Sequence, residues 1–265
     1  MKPILRRGVP MIALLALVLT AGGCGTSAKS PTGPATSDLT QGEADDIALQ
    51  TSFALDLVGL DVEGAAGSIV LGSGQRPGAL PLRAAWDTTL AFGGLTAEIS
   101  RDFFDAGNNV LAGNGPTAVR LNWKSHIWGA VESVRDTASI QHLSDFDFTG
   151  IQLLDSALVI NGTCADTLLS RFQSPDSLRT SYGYWRSTLA AAGIAMRKID
   201  GVPLRGTLTY VVQVDVLRSS ALGDVEKHLS AIVVITFNGT QLPDVVINGV
   251  HHYKWDMDHG TMVAV

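Results

Sequence analysis

A chain of 265 residues that is 46% hydrophobic and 17% charged is long enough to close one substantial core, and its composition excludes gross disorder. Its formal charge of −6 excludes nucleic acid as an expected partner, because recognition of a phosphate backbone needs clustered Lys and Arg. Two cysteines cannot supply a disulfide framework, and a chain of this size does not need one.

At the amino terminus Lys2, Arg6 and Arg7 precede an apolar run from Val9 to Leu19, which gives way to Thr20-Ala21-Gly22-Gly23-Cys24. The run is too short to span a bilayer and has the form of a secretory signal. With small residues ahead of the cysteine, this stretch resembles the bacterial lipoprotein signal, although Ala21 stands where that family more often has leucine. The resemblance covers the first two dozen or so residues and no more. It implies that residues 1–23 are a signal peptide, that Cys24 is lipidated, with palmitate among its acyl chains, and that the mature chain is anchored to the membrane of the cell envelope. Gly25, rather than Asp, follows the cysteine, as in the class destined for the outer membrane where there are two membranes. Loss of the three basic groups in 1–23 takes the formal charge from −6 to −9. Anchoring then depends on acyl chains, not on a spanning helix.

Residues 24–39 are mostly Gly, Ser, Thr, Pro and Ala, a composition that buries too little apolar surface to fold and reads as a flexible tether. A single domain is expected over 40–265. Thr40-Gln41-Gly42-Glu43 has the spacing of a capping box, with Asp45 and Asp46 close behind in the turn where the helix dipole favours acid. Ile47, Ala54, Leu55 and Val58, flanked by Leu49, Phe53 and Leu57, follow at helical spacing. The pattern predicts a helix over 41–58, packed on a sheet. Glycine is dense between Gly59 and Arg83, and Gln75-Arg76-Pro77-Gly78 marks a loop.

Beyond it the chain is a succession of strands. Trp86–Phe92, Leu95–Phe104, Ala118–Trp128, Ala130–Arg135 and Ser139–Phe148 are expected, punctuated by glycine-rich turns. Asn161-Gly162, Asn238-Gly239 and Asn248-Gly249 each sit between apolar runs, where a type I′ hairpin turn is expected. Leu189–Ile194 is the only later stretch with helical character. From Gly206 to Phe237 two long period-two patterns face each other across a polar loop at Arg218–Val225, which predicts an antiparallel hairpin. Its buried set is Leu208, Tyr210, Val212, Val214 and Val216 on the first strand, and Leu229, Ala231, Val233, Ile235 and Phe237 on the second.

Motifs that carry chemistry are scarce: no Gly-x-Ser-x-Gly, no His-Glu-x-x-His, no Cys-x-x-Cys and no calcium loop occurs. Asp145 and Asp147 share one strand face opposite Phe146 and Phe148, an arrangement typical of a solvated surface. Cys164 reads as a small buried residue. His126, His142 and His228 stand alone in strand patterns. The densest polar cluster runs from His251 to His259, where His252, Asp256 and Asp258 share a face and are weak candidates for metal ligands. Lys254 on that same face argues against a cation, so no metal or other cofactor and no catalytic residue is expected.

The fold class expected is mainly β: an antiparallel meander forming a curved sheet, partial barrel or sandwich, with one N-terminal helix. The expected function is a membrane-anchored envelope lipoprotein with a non-enzymatic binding or structural role, its partner an envelope protein, a glycan or a lipid. The alternative is a carrier that encloses a hydrophobic ligand, a lipid or acyl chain, in the concave face of the sheet under the helix.

Overall fold

The computed structural model describes residues 38–72, 88–92, 94–132, 136–152, 155–173, 180–198, 200–220 and 223–265. Cys24 and the expected signal peptide lie outside the described residues, as does all but the last two residues of the tether. Among the described residues the architecture is one helix, α1 (Gln41–Gly72), on one antiparallel sheet. The strands are β1 (Thr88–Phe92), β2 (Leu95–Phe104), β3 (Val110–Leu111), β4 (Arg120–Glu132), β5 (Asp136–Thr149) and β6 (Ala157–Gln173). They continue with β7 (Thr180–Arg197), β8 (Pro203–Ser220), β9 (Gly223–Phe237), β10 (Asp244–Ile247), β11 (His251–Asp256) and β12 (Thr261–Ala264). Apart from the two-residue β3, which pairs only with β2, each strand lies beside its neighbours in the chain, so the topology is the expected meander. Among the described residues β1 does not pair with β12, and the sheet stays open.

Period-two alternation decides which face of each strand meets α1. On β8 Leu208, Tyr210 and Val212 are buried while Val211 is exposed, and on β9 Ala231, Val233, Ile235 and Phe237 are buried while Ile232 is exposed. The hairpin register runs from Gly206↔Phe237 out to Ser220↔Gly223, so both strands penetrate the segment expected to be loop. Val214 is only partly buried against the core and Val216 is intermediate, because the hairpin tip extends past the main cluster.

The capping box forms as expected. The Thr40 amide donates to Glu43 Oε2 at 3.0 Å and the Glu43 amide donates to Thr40 Oγ1 at 3.4 Å. Lys227 Nζ on β9 pairs with Glu43 Oε1 at 2.9 Å and ties this end of the helix to the sheet. Ile47, Ala54, Leu55, Leu57 and Val58 are buried, Phe53 packs against the cluster, and Leu49 is the stripe residue left exposed.

The helix does not stop at Val58 but runs 32 residues to Gly72. Its second half buries Asp61, Ala65, Ser68 and Ile69, and this packing outweighs the roughly 1 kcal/mol that each interior glycine costs a helix. Gly64 is present for a reason of space, since a Cβ there would lie 2.7 Å from Cζ2 of Trp123, a buried ring on β4. Gly64→Ala is therefore expected to destabilise by about 1–3 kcal/mol through overpacking, although alanine is the better helix former. Gly59→Ala and Gly67→Ala, with nothing within 4 Å of the added carbon, are expected to stabilise by up to about 1 kcal/mol. Urea denaturation of the three variants checks this, and a stabilised Gly64→Ala would refute it.

Three further expectations are corrected. Ala118–Trp128 and Ala130–Arg135 are not separate strands: β4 continues through Gly129 to Glu132, and 133–135 lie outside the described residues. Gly129 keeps the strand paired on both sides at φ +150°, where a Cβ would sit 2.3 Å from the Gly94 carbonyl oxygen. Leu189–Ile194 is not helical but belongs to β7, where ladders to β6 and β8 override the helix preference of its alanines. Of the three Asn-Gly pairs, Asn248-Gly249 alone makes the expected turn, with φ of 52° and 74° and Val250 N donating to Ile247 O at 3.1 Å. Asn161-Gly162 runs through the middle of β6 without a turn, and the bulge lies opposite it in β7, where Ala192 and Gly193 together face Asn161, whose Oδ1 accepts from the Gly193 amide at 2.8 Å. Asn238-Gly239 begins the longer connection between β9 and β10, and Asn238 Oδ1 accepts from the Thr240 amide at 3.0 Å.

Candidate functional site

The core contains a cluster that is charged rather than apolar. His142 on β5 lies opposite Asp166 on β6, which lies opposite Ser187 on β7, so one row across the inner face carries three polar residues. Parity places them: His142 shares its face with Phe146 and Phe148, and Asp166 shares its face with Leu168, all buried. The neighbouring row is Ser125, Ser144, Cys164, Leu189 and Tyr210, with the two serine hydroxyls 2.9 Å apart. Asp61 descends onto these rows from the part of α1 beyond Val58, where the expected helix ended.

The imidazole is held between two carboxylates. Nδ1 lies 2.5 Å from Asp166 Oδ1 and Nε2 lies 2.8 Å from Asp61 Oδ2, and the histidine side chain has 0% exposure. Burial alone would depress the pKa of His142, but the hydrogen bonds and charges of Asp166 and Asp61 outweigh it and raise the pKa to about 9. His142 is thus an imidazolium near neutral pH, donating from both nitrogens. Burial works to raise the Asp61 pKa, but its bond to His142 prevails and holds it below the usual carboxylate value. The Trp123 indole N–H donates to Asp61 Oδ1 at 3.1 Å, and the Ser187 hydroxyl donates to Asp166 Oδ2 at 3.2 Å.

This arrangement has a defined pH dependence. Because the folded pKa of His142 is raised from 6.5, its contribution is fully present below about pH 6.5 and is lost as pH rises through about 9. A shift of this size corresponds to on the order of 3 kcal/mol. The Asp61 contribution has the opposite sense, since its folded pKa is lowered, and is lost as pH falls below the carboxylate range. Denaturation free energies measured at about pH 6 and about pH 9.5 should show the higher stability at the lower pH. A flat profile across that interval would contradict a buried imidazolium.

Chemically the cluster is closed. Neither ring nitrogen of His142 has a free lone pair to act as a base while it donates to a carboxylate. Cys164 Sγ lies 3.6 Å from Asp166 Oδ2, and burial, with the nearby Asp166 and Asp61, pushes the thiol pKa far up, so the sulfur is held as an inert thiol. His142, Cys164 and Asp166 are the one group among the described residues whose ligand atoms come within 4.8 Å of one another, as a metal site would require. Metal binding there would require His142 to give up both the Nδ1 proton and its bond to Asp166.

The weak metal candidates are not brought together in this way. His252 is exposed on β11, and Asp256 is occupied by the amides of Asp258 and His259 and by His259 Nδ1 at 2.7 Å. Lys254 pairs with Asp244 of β10, while Tyr253 is buried and Trp255 and Met257 pack on the core, as strand alternation predicts. Asp145 and Asp147 occupy the solvated face and pair with Lys124 and Arg120, both at 3.3 Å. His126 stacks on Trp128 with ring centroids 4.3 Å apart, and His228 is an exposed partner of Asp215.

Of the three lone histidines, His142 is the one whose role sequence reasoning missed. The available signal was a polar residue on the same parity as Phe146 and Phe148, repeated by Asp166 on the parity of Leu168. Comparison with protein-family models, curated proteins and solved structures found no match for this chain.

Proposed function

We propose that this protein is a cell-envelope lipoprotein, held to the membrane through acylated Cys24, whose β domain has a non-enzymatic binding or structural role. The observation that carries the domain's part of this reading is the filled space between α1 and the sheet. The cavity among Phe53, Ala54, Leu57, Ile140, Leu168 and Trp185 amounts to about 10 Å³. Small-molecule sites run to roughly 300–1,000 Å³, so an acyl chain enclosed beneath the helix has no room among the described residues. Expected partners are an envelope protein, a glycan or a lipid met at the surface of the domain, and not nucleic acid.

Among the described residues no helix is long and apolar enough to cross a membrane. Anchoring is assigned to the acyl chains that the signal sequence implies, and two chains are needed for firm attachment. Cys24→Ser should move the protein from the membrane pellet to the soluble fraction. A Cys24→Ser protein that stays in the bilayer through high-salt washing would overturn the anchor.

A further inference from the structure

We infer that the sheet face turned away from α1 carries a binding site for a single-chain anionic amphiphile of the fatty-acid class. The inference rests on reading the domain as a binding module, and it assigns that module a site and a ligand chemistry. The face is hollowed over β5 to β8 into an open depression of about 510 Å³, far larger than the space under the helix.

The strand register shows how the hollow is made. One row across it is Leu143, Ala165, Thr188 and Val211, and the next is Asp145, Thr163, Ala190 and Thr209. The two central strands therefore contribute only alanine and threonine, which leaves a low floor. Leu143 and Val211 stand as walls at 45% and 44% exposure, and Ile232, opposite Val211 in the register, extends the second wall. This is apolar surface that no described residue covers, and it suits an alkyl chain better than a polar ligand.

Charge fixes the orientation. Asp145, the one ionised group in the two rows, is answered by Lys124 at 3.3 Å and by the Asn122 amide at 2.8 Å. The row beyond Thr188 is Gln141, Thr167, Arg186, Gln213 and Ser230, polar throughout with a single cation. Arg186 Nη2 pairs with Asp215 at 3.1 Å and its guanidinium lies over the Tyr184 ring. A guanidinium has five N–H donors in a planar fork, so donors remain for a carboxylate head, with Gln213 and Thr167 alongside. The tail then lies over Ala165 and Ala190.

Titration calorimetry of the full chain carrying Cys24→Ser, so that its own acyl chains do not compete, tests this with decanoate and decan-1-ol as probes. Saturable binding of one decanoate per chain is expected. Ala165→Trp and Ala190→Trp each fill the floor and should weaken binding at least tenfold without lowering the melting temperature, since both positions face solvent. Arg186→Gln should weaken decanoate roughly tenfold and leave decan-1-ol unchanged. No saturable decanoate binding, or binding untouched by both tryptophans, overturns the site. Equal loss of both probes in Arg186→Gln overturns the anionic head. Either failure leaves the membrane-release result for Cys24→Ser standing, so the two readings fail separately.

Discussion

His142→Ala is expected to destabilise the domain by about 3–5 kcal/mol, the cost typical of removing one partner from a buried ion pair. The parent places an imidazolium between Asp61 Oδ2 and Asp166 Oδ1, with all three side chains at 5% exposure or less. Without the ring, two carboxylates face each other across a cavity lined by the indole of Trp123 and the hydroxyl of Ser187, which satisfy one oxygen of each. The carboxylates must then either remain charged at high cost or take up protons, and both routes favour the unfolded chain. The helix is affected as well as the sheet, because Asp61 belongs to α1 and its bonds to His142 and Trp123 join the carboxyl half of the helix to β4 and β5. Neutralising both acids in a His142→Gln, Asp61→Asn, Asp166→Asn variant should recover part of the loss, since no unpaired charge is then left in the core. Equilibrium urea denaturation measures the series, and a His142→Ala protein within about 1 kcal/mol of the parent would show that the cluster does not bear the charges assigned to it.

A larger effect is expected from Val212→Asp, while Gln213→Asp, one residue along, should be nearly silent. Val212 is at 0% exposure on the inner face, with Ser187 on one side and Ala231 on the other in the register. A carboxylate there finds no cation and adds to the negative charge of Asp166, itself the register partner of Ser187. The cost of several kcal/mol is comparable with the roughly 5–15 kcal/mol total stability of a domain, so the variant should fail to fold or should protonate its new acid. Gln213 faces solvent across from Arg186, where an added carboxylate has a cation beside it. Thermal melts followed by circular dichroism separate the two, and equal shifts would mean that the faces of β8 are misassigned.

Much of this was legible in the residues. Alternation marked the faces of β8 and β9, the capping box marked the start of α1, and the bounds of β2 were read as they stand, Leu95 to Phe104. These features depend on neighbours in the chain, because a capping side chain bonds three residues away and a strand shows its period within a few residues. The end of α1 was not legible. Gly59, Gly64 and Gly67 carry the local signature of a loop, and the reason for Gly64 is the ring of Trp123, far along the chain. Asn161-Gly162 likewise has the signature of a hairpin turn, yet β6 is paired on both sides across it, and it is β7 opposite that bulges, at Ala192 and Gly193.

The sequence by itself determined the class of fold, the parity of its strands, the entry into the helix and the cysteine on which an acyl anchor is proposed. Only the tertiary structure decided that Asp61 meets His142 and Asp166, that the described residues leave only about 10 Å³ among Phe53, Leu57, Ile140 and Trp185 beneath α1, and that the outward alanines and threonines of β6 and β7 form the floor of a hollow. The physical reason is range. Propensity, capping and alternation act over one turn or a few residues, whereas an ion cluster and a concave surface depend on register across several strands. That register is set by the packing of the whole sheet against its helix.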